Sequence, residues 1–336
     1  MGLDRTHLVA STVMLVMATF ATSAWAGKND LELFNLCPRA ASANGECPWV
    51  QRGADGSIVG SIETYLQGSK GLQGRQDFRS LMSELGVVLA PRIPMVADTA
   101  GIAGFQLSAE LGLTEISHSQ LFWNGVQGVS ATNTAATRPD PMLTTVGAFV
   151  RKGIWLPVPT MELGFGAVHL LDSQLLAWQG YAKVAIHEGF HDWPIPSFAL
   201  RGAVSYLTGT DEVATTTTSV DLLISKGFGL LKTARLEPFA GWSLISIFAH
   251  SGHINATPSC DYTTDALGCA SFSFPDQNAI TRYRVFAGFK LRFAIVFFAA
   301  QYEVFFAGAS RDGSSFSAKD QSATQNALSL STGLDF

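Results

Sequence analysis

The sequence predicts an all-β fold, a closed antiparallel transmembrane β-barrel of about twelve strands, and three observations lead to it. Segments of about ten residues alternate apolar and polar side chains, separated by turns rich in Gly, Pro, Asp or Ser. Hydrophobic residues make up 47 % of the chain and charged residues only 15 %, well below the quarter usual in soluble proteins. After the N-terminus no run reaches the roughly 20 apolar residues that a membrane helix needs. The longest, Phe293 to Ala300, is soon interrupted by Gln301 and Glu303. The apolar content therefore belongs on one face of alternating strands. The closing stretch shows the pattern plainly. Asn326, Leu328, Leu330, Thr332, Leu334 and Phe336 fall on one side, and small or polar residues fall on the other.

Residues 1–26 read as a secretory signal peptide. Arg5 and His7 precede an apolar core from Leu8 to Phe20, and Ala24-Trp25-Ala26 supplies a cleavage site before Gly27. Export to an oxidising compartment makes the close pairs Cys37/Cys47 and Cys260/Cys269 local disulfides. Residues 27–56 lack periodicity and are expected to form an N-terminal extension, either periplasmic or a plug. Residues 57–336 are assigned to the barrel, with the first strand at Ser57 to Leu66 and another at Ser83 to Ala90.

The remaining strands are clearer. Phe105 to Ile116, Leu143 to Gly153, Met161 to Leu170, Leu175 to His187, Ser197 to Thr208, Ser219 to Gly229, Arg235 to Ala249, Thr281 to Arg292 and Ala294 to Ala307 each alternate, before the final strand from Gln325. The threonine run Thr215 to Thr218 reads as a loop tip or an outer strand end. Aromatic residues recur near strand ends, as at Trp155, Trp193, Trp242, Phe293 and Phe336, and suit interfacial girdles. With the C-terminus in the periplasm, long loops fall mostly outside and short turns mostly inside. The barrel must close, because an unpaired edge in lipid leaves backbone groups unsatisfied, and an odd count is disfavoured. Ten or fourteen strands would also close.

Charged residues on the polar faces are expected to line the lumen. They are Glu110, Arg151, Glu162, Lys183, Arg201, Arg282, Arg284 and Glu303, with Lys290, Arg292 and Gln301 on the same rows. Two readings follow from them. They could form a selectivity lining, or they could pair across strands in a packed lumen, for which a twelve-strand barrel is narrow enough. His187-Glu188-Gly189-Phe190-His191 fits the H-E-x-x-H pattern. It ends a strand and runs into Asp192-Trp193-Pro194, so the helix that such a zinc site needs cannot form. No metal or other cofactor is expected, and no nucleophile with a partnered histidine points to an enzyme. A net charge of −5 without a basic cluster argues against nucleic acid as a partner.

Taken together, Ala24-Trp25-Ala26, the repeated alternating strands and the terminal Phe336 resemble the Gram-negative outer-membrane β-barrel class. The resemblance covers residues 57–336 and identifies no particular family. It implies that Phe336 serves as the signal read by the barrel-assembly machinery, and that outer-membrane lipids surround the strands. The expected function is a channel or transporter for small solutes. The alternative is a non-conducting structural or surface-binding barrel with a packed lumen.

Overall fold

Period-two alternation closes on itself in the structure, a computed structural model that describes residues 27–336 except 38–45, 93, 127–138, 156–159, 190–194, 232, 261–267 and 314–315. The signal peptide assigned to residues 1–26 lies outside the described residues. The barrel strands are β1 (Phe105–Glu115), β2 (Met142–Ile154), β3 (Met161–Leu170), β4 (Leu176–His187), β5 (Ser197–Thr208), β6 (Val213–Ser225), β7 (Ala234–Ser251), β8 (Gln277–Phe293), β9 (Val296–Phe305) and β10 (Gln325–Asp335). Each pairs antiparallel with the next, and β10 pairs with β1. At the seam Leu111 stands opposite Leu330. Phe105 and Phe336 exchange backbone hydrogen bonds of 3.1 and 2.8 Å. No ladder edge is left in the ring, which an apolar surrounding requires. A short strand, Phe228–Leu231, lies outside the ring and pairs with the start of β7.

The count is ten rather than about twelve. The two strands expected at Ser57 to Leu66 and Ser83 to Ala90 do not form, and residues 62–66 and 83–88 of them are helical instead. Helix α1 spans Ile62–Gln67 and helix α2 spans Leu72–Val88. In α2, Phe78, Leu81, Met82, Leu85 and Val88 recur at three- and four-residue intervals, the period of one helical face. A window as short as Ser83 to Ala90 hides that period. Of the two readings of the threonine run, the strand end is the one found: Thr215 to Thr218 lie in β6 near its start, after a turn that covers only 209–212.

The two ends of the barrel differ. One carries the connections 116–141, 171–175, 209–212, 252–276 and 306–324. The other carries 155–160, 188–196, 226–233 and 294–295 together with the C-terminus. We call them the long-loop end and the short-turn end. Two disulfides, Cys37–Cys47 and Cys260–Cys269, lie in segments associated with the long-loop end.

Alternation sorts the side chains. In β5 every second residue is buried, from Ser197 through Leu207, while Phe198, Leu200, Val204 and Tyr206 stand exposed on the outside. Outer aromatic residues pair across strands, with ring centroids 5.8 Å apart for Phe165 and Trp178 and 5.9 Å for Trp242 and Tyr283. Trp155, Phe293 and Phe336 are exposed near the short-turn end. Trp193 lies outside the described residues. An exposed apolar belt of this kind marks a surface that contacts a partner or a membrane.

A paired-cysteine variant tests the seam. Cross-strand neighbours stand close enough for a disulfide, so Leu111→Cys with Leu330→Cys should oxidise within one chain of the folded protein. Failure to cross-link under conditions that oxidise a β1–β2 control pair, Leu111→Cys with Val146→Cys, would refute the closure.

Candidate functional site in the barrel lumen

Inward residues of a narrow ring must share a small dry space, so each charge there needs a partner. Arg284 on β8 is completely buried between two equally buried carboxylates, Asp221 on β6 at 2.8 Å and Glu303 on β9 at 3.0 Å. Its Nε donates to Ser243 of β7 at 3.0 Å. Asp221 also receives Arg201 of β5 at 2.6 Å, and Glu303 receives the hydroxyl of Ser329 on β10 at 2.8 Å. One connected network thus spans six adjacent strands.

Smaller groups complete the wall, on β1 to β4 and, through Arg282, on β8. Arg151 of β2 contacts Glu110 and Gln106 of β1, each at 3.1 Å. Glu162 of β3 accepts the Tyr181 hydroxyl at 2.7 Å and lies 3.4 Å from Lys183 of β4. Arg282 is fully buried and donates to Ser83 and Ser322 at 2.9 and 2.7 Å. These contacts place all eight charged residues of the expected lining on inward rows.

Among the described residues, 89–92 and 94–98 run between these walls without regular secondary structure, and we call them the strap. A buried backbone without a ladder must find other partners. Here the wall side chains supply them. The Leu89 carbonyl accepts from Gln179 of β4 at 3.0 Å and Ser205 of β5 at 2.8 Å. The Pro91 carbonyl accepts from Arg284 and the Arg92 carbonyl from Gln301 of β9, both at 3.1 Å. Lys183 donates to the carbonyls of Val96 and Asp98 at 3.1 and 2.8 Å, and Ala97 N–H donates to Ser225 of β6 at 2.9 Å. The side chain of Arg92, itself buried, donates to Thr114 of β1 and to the carbonyls of Val87 and Val88 at the end of α2.

Helix α2 precedes the strap and is buried along nearly its whole length. At Gly86 it approaches β7 so closely that a Cβ would meet the Ile247 side chain at 2.7 Å. Polar residues on α2 reach the long loops. Arg79 donates to Gln277 and Ser310, each at 2.9 Å, and Ser83 to Asp320 at 2.7 Å. Glu84 accepts the Trp123 indole N–H at 2.8 Å and the Ser117 N–H at 2.9 Å.

The described part of residues 27–56 joins the long-loop end. Asn29 N–H donates to the Asp172 carbonyl at 3.0 Å, Glu32 N–H to Gly125 at 2.9 Å and Cys47 N–H to Ala256 at 2.8 Å. Leu33 N–H donates to the Glu212 carboxylate at 2.5 Å. Trp49 packs edge-on against Phe272 and Phe274, and Phe274 stacks on Phe78 of α2 with centroids 4.6 Å apart. Burial pushes the Glu212 carboxyl above the usual carboxylate range, against the opposing effect of the Leu33 N–H.

Sequence reasoning missed Asp221, which neutralises two arginines, although alternation with Ser219 put it on the inward row. The strap and α2 carried no comparable signal, because their partners lie far away along the chain. Of the H-E-x-x-H stretch, His187 ends β4 and Glu188 accepts the Thr99 N–H at 2.9 Å. Phe190 and His191 lie outside the described residues. Among the described residues no group of three or more metal-ligating side chains comes together.

No protein-family model and no curated protein matches this sequence. The solved structures it matches include bacterial outer-membrane β-barrel proteins. The N-terminal β-barrel domain of OprF from Pseudomonas aeruginosa is 12 % identical, covering 70 % of this chain and 99 % of that one, at a TM-score of 0.24. The outer membrane protease OmpT from Escherichia coli is 6 % identical, covering 69 % and 95 %, at 0.32. The translocator domain of the autotransporter NalP from Neisseria meningitidis is 10 % identical, covering 82 % and 97 %, at 0.34. Scores this low transfer no role to the present chain.

Two outcomes follow. Replacing Arg284 with Met should destabilise the protein by about 3–5 kcal/mol, because it strands two buried carboxylates. Lys28→Met, which removes an exposed ion pair, should cost less than about 1 kcal/mol. Urea unfolding followed by tryptophan fluorescence measures both, and equal costs would contradict the network. Glu212 gives a pH dependence. Its raised carboxyl makes the folded state bind a proton more tightly than the unfolded state, so its contribution is full below about pH 4 and is lost as pH rises through the folded value. The stability of the wild type relative to Glu212→Gln should fall over that rise and then level off. A flat difference would contradict the burial.

Proposed function

We propose that this protein is an outer-membrane β-barrel with a packed, non-conducting lumen, serving a structural or surface-binding role. The observation that carries the reading is the strap. Residues 89–98 are hydrogen-bonded to side chains of β4, β5, β6, β8 and β9 from opposite sides of the ring. Wall charges are consumed by one another and by the strap, leaving no continuous charged lining to select a solute. The expected channel is therefore the weaker reading. The barrel alternative fits better, and no catalytic role is assigned.

The exposed apolar belt and the inward burial of Arg151, Glu162, Lys183, Arg201, Asp221, Arg282, Arg284 and Glu303 support a lipid setting. An arginine at the midplane of the lipid face would cost roughly 2–4 kcal/mol. With the short-turn end and Phe336 in the periplasm, Phe336 is available to the assembly machinery, and the long loops face outward. The described residues from 27 to 61 then lie on the outside as well. They form a cap with the loops, held by the Trp49, Phe78, Phe272 and Phe274 cluster. A binding surface on this barrel belongs to that cap.

Planar-bilayer recording of the folded protein should give no stepwise current. An epitope inserted at Gly56, an exposed position at positive φ with open space around it, should be bound by antibody on intact cells. Regular conductance steps would overturn the packed lumen. An epitope reached only after the outer membrane is permeabilised would reverse the orientation.

A further inference from the structure

A cavity of about 350 Å³ occupies the short-turn end of the lumen, where the strap meets the wall. Five of its lining residues are basic (Arg151, Lys183, Arg235, Lys290, Arg292) and four are acidic (Asp98, Glu162, Glu237, Asp335), and Arg151 is paired with Glu110 beside the cavity. Lys183 is already engaged by the Val96 and Asp98 carbonyls of the strap, and Glu162 by the Ala100 N–H just after it. The cations left facing the space are concentrated on β7 and β8.

Their placement is unfavourable on its own. Arg235 and Arg292 are direct partners in the β7–β8 register, and like charges in that position destabilise a sheet. Nearby carboxylates offset this unevenly, two on Arg235 and one shared by Lys290 and Arg292. Arg235 reaches Glu237 at 2.8 Å and Asp98 at 3.4 Å. Asp335 alone serves both Lys290 at 2.8 Å and Arg292 at 3.8 Å.

Across the same cavity two buried donors lack a partner. Gln106 is 4 % exposed and Arg151 is 2 % exposed. The Gln106 carbonyl oxygen accepts from Arg151, so its amide nitrogen is the atom left over, together with Arg151 Nε. Unpaired buried donors are costly. Water could satisfy them, yet it would leave the repulsion between Arg235 and Arg292 in place. An anion with several acceptor oxygens meets both needs at once.

We propose that this vestibule binds a small, doubly charged oxyanion of the phosphate or dicarboxylate class. Arg235, Lys290 and Arg292 supply the charge, and Gln106 and Arg151 supply directed donors. The strap closes the inner end, so the site holds the anion and does not pass it on. Binding there is compatible with either orientation of the barrel and is independent of the proposed surface role.

Titration calorimetry of the folded protein tests this, with inorganic phosphate and succinate as probes and chloride balancing the ionic strength. One-site saturable binding of at least one probe is expected. It should weaken about tenfold or more in Arg292→Gln and in Gln106→Leu, and stay unchanged in Lys28→Gln at the opposite end. Should Gln106→Leu fail to fold, as judged by heat-modifiable gel mobility, the half-exposed Arg292 decides the matter. Absence of saturable binding by both probes overturns the proposal. Equal affinity in wild type and Arg292→Gln, an adventitious ion only, overturns it as well.

Discussion

Arg284 must be neutralised in a place that water does not reach, and much of the lumen is arranged to do so. A guanidinium moved from water to a dry interior costs several kcal/mol unless good geometry and further hydrogen bonds compensate. Here Asp221 and Glu303 supply opposite charge from two other strands, Ser243 and the Pro91 carbonyl take remaining donors, and Arg201 and Ser329 anchor the carboxylates in turn. Every member needs a fixed register between its strands. A one-residue slip would turn the charge to the outer face. The network therefore ties barrel closure, strand register and lumen filling together.

The strap belongs to the same arrangement. Its carbonyls accept from Gln179, Ser205, Arg284, Lys183 and Gln301, so donors of the wall are satisfied by backbone. In exchange, a stretch without secondary structure avoids buried unpaired groups. Helix α2 adds an apolar face at the long-loop end and brings Arg79, Ser83 and Glu84 to the loops. The cap over that end is consequently continuous with the filling of the lumen below it.

Alternation made the faces legible in the sequence and made the contents of the lumen illegible. Phe198, Leu200, Val204 and Tyr206 could be placed opposite Arg201 and Ser205 because a strand has a period of two and a charge is costly on an apolar face. Leu72–Val88 could not be recognised from short windows, since four or five residues of a helical face can mimic part of a strand. That confusion added a strand at Ser83 to Ala90, parity then demanded another at Ser57 to Leu66, and the count rose to about twelve. The strap has no periodicity at all. Its position depends on contacts with residues up to some two hundred positions away, such as Arg92 with Gln301. Asp221 lay between these cases, visible by parity but without a local partner to mark it.

The most direct test of a filled lumen is a cross-link between its filling and its wall. Ala97 N–H lies 2.9 Å from the Ser225 hydroxyl, which brings the two backbones within the range a disulfide can span. Ala97→Cys with Ser225→Cys should oxidise within one chain of the folded, membrane-inserted protein, and each single variant should resist aqueous thiol reagents until unfolding. Two freely labelled cysteines that never cross-link would show that the strap lies outside the barrel and would contradict the account.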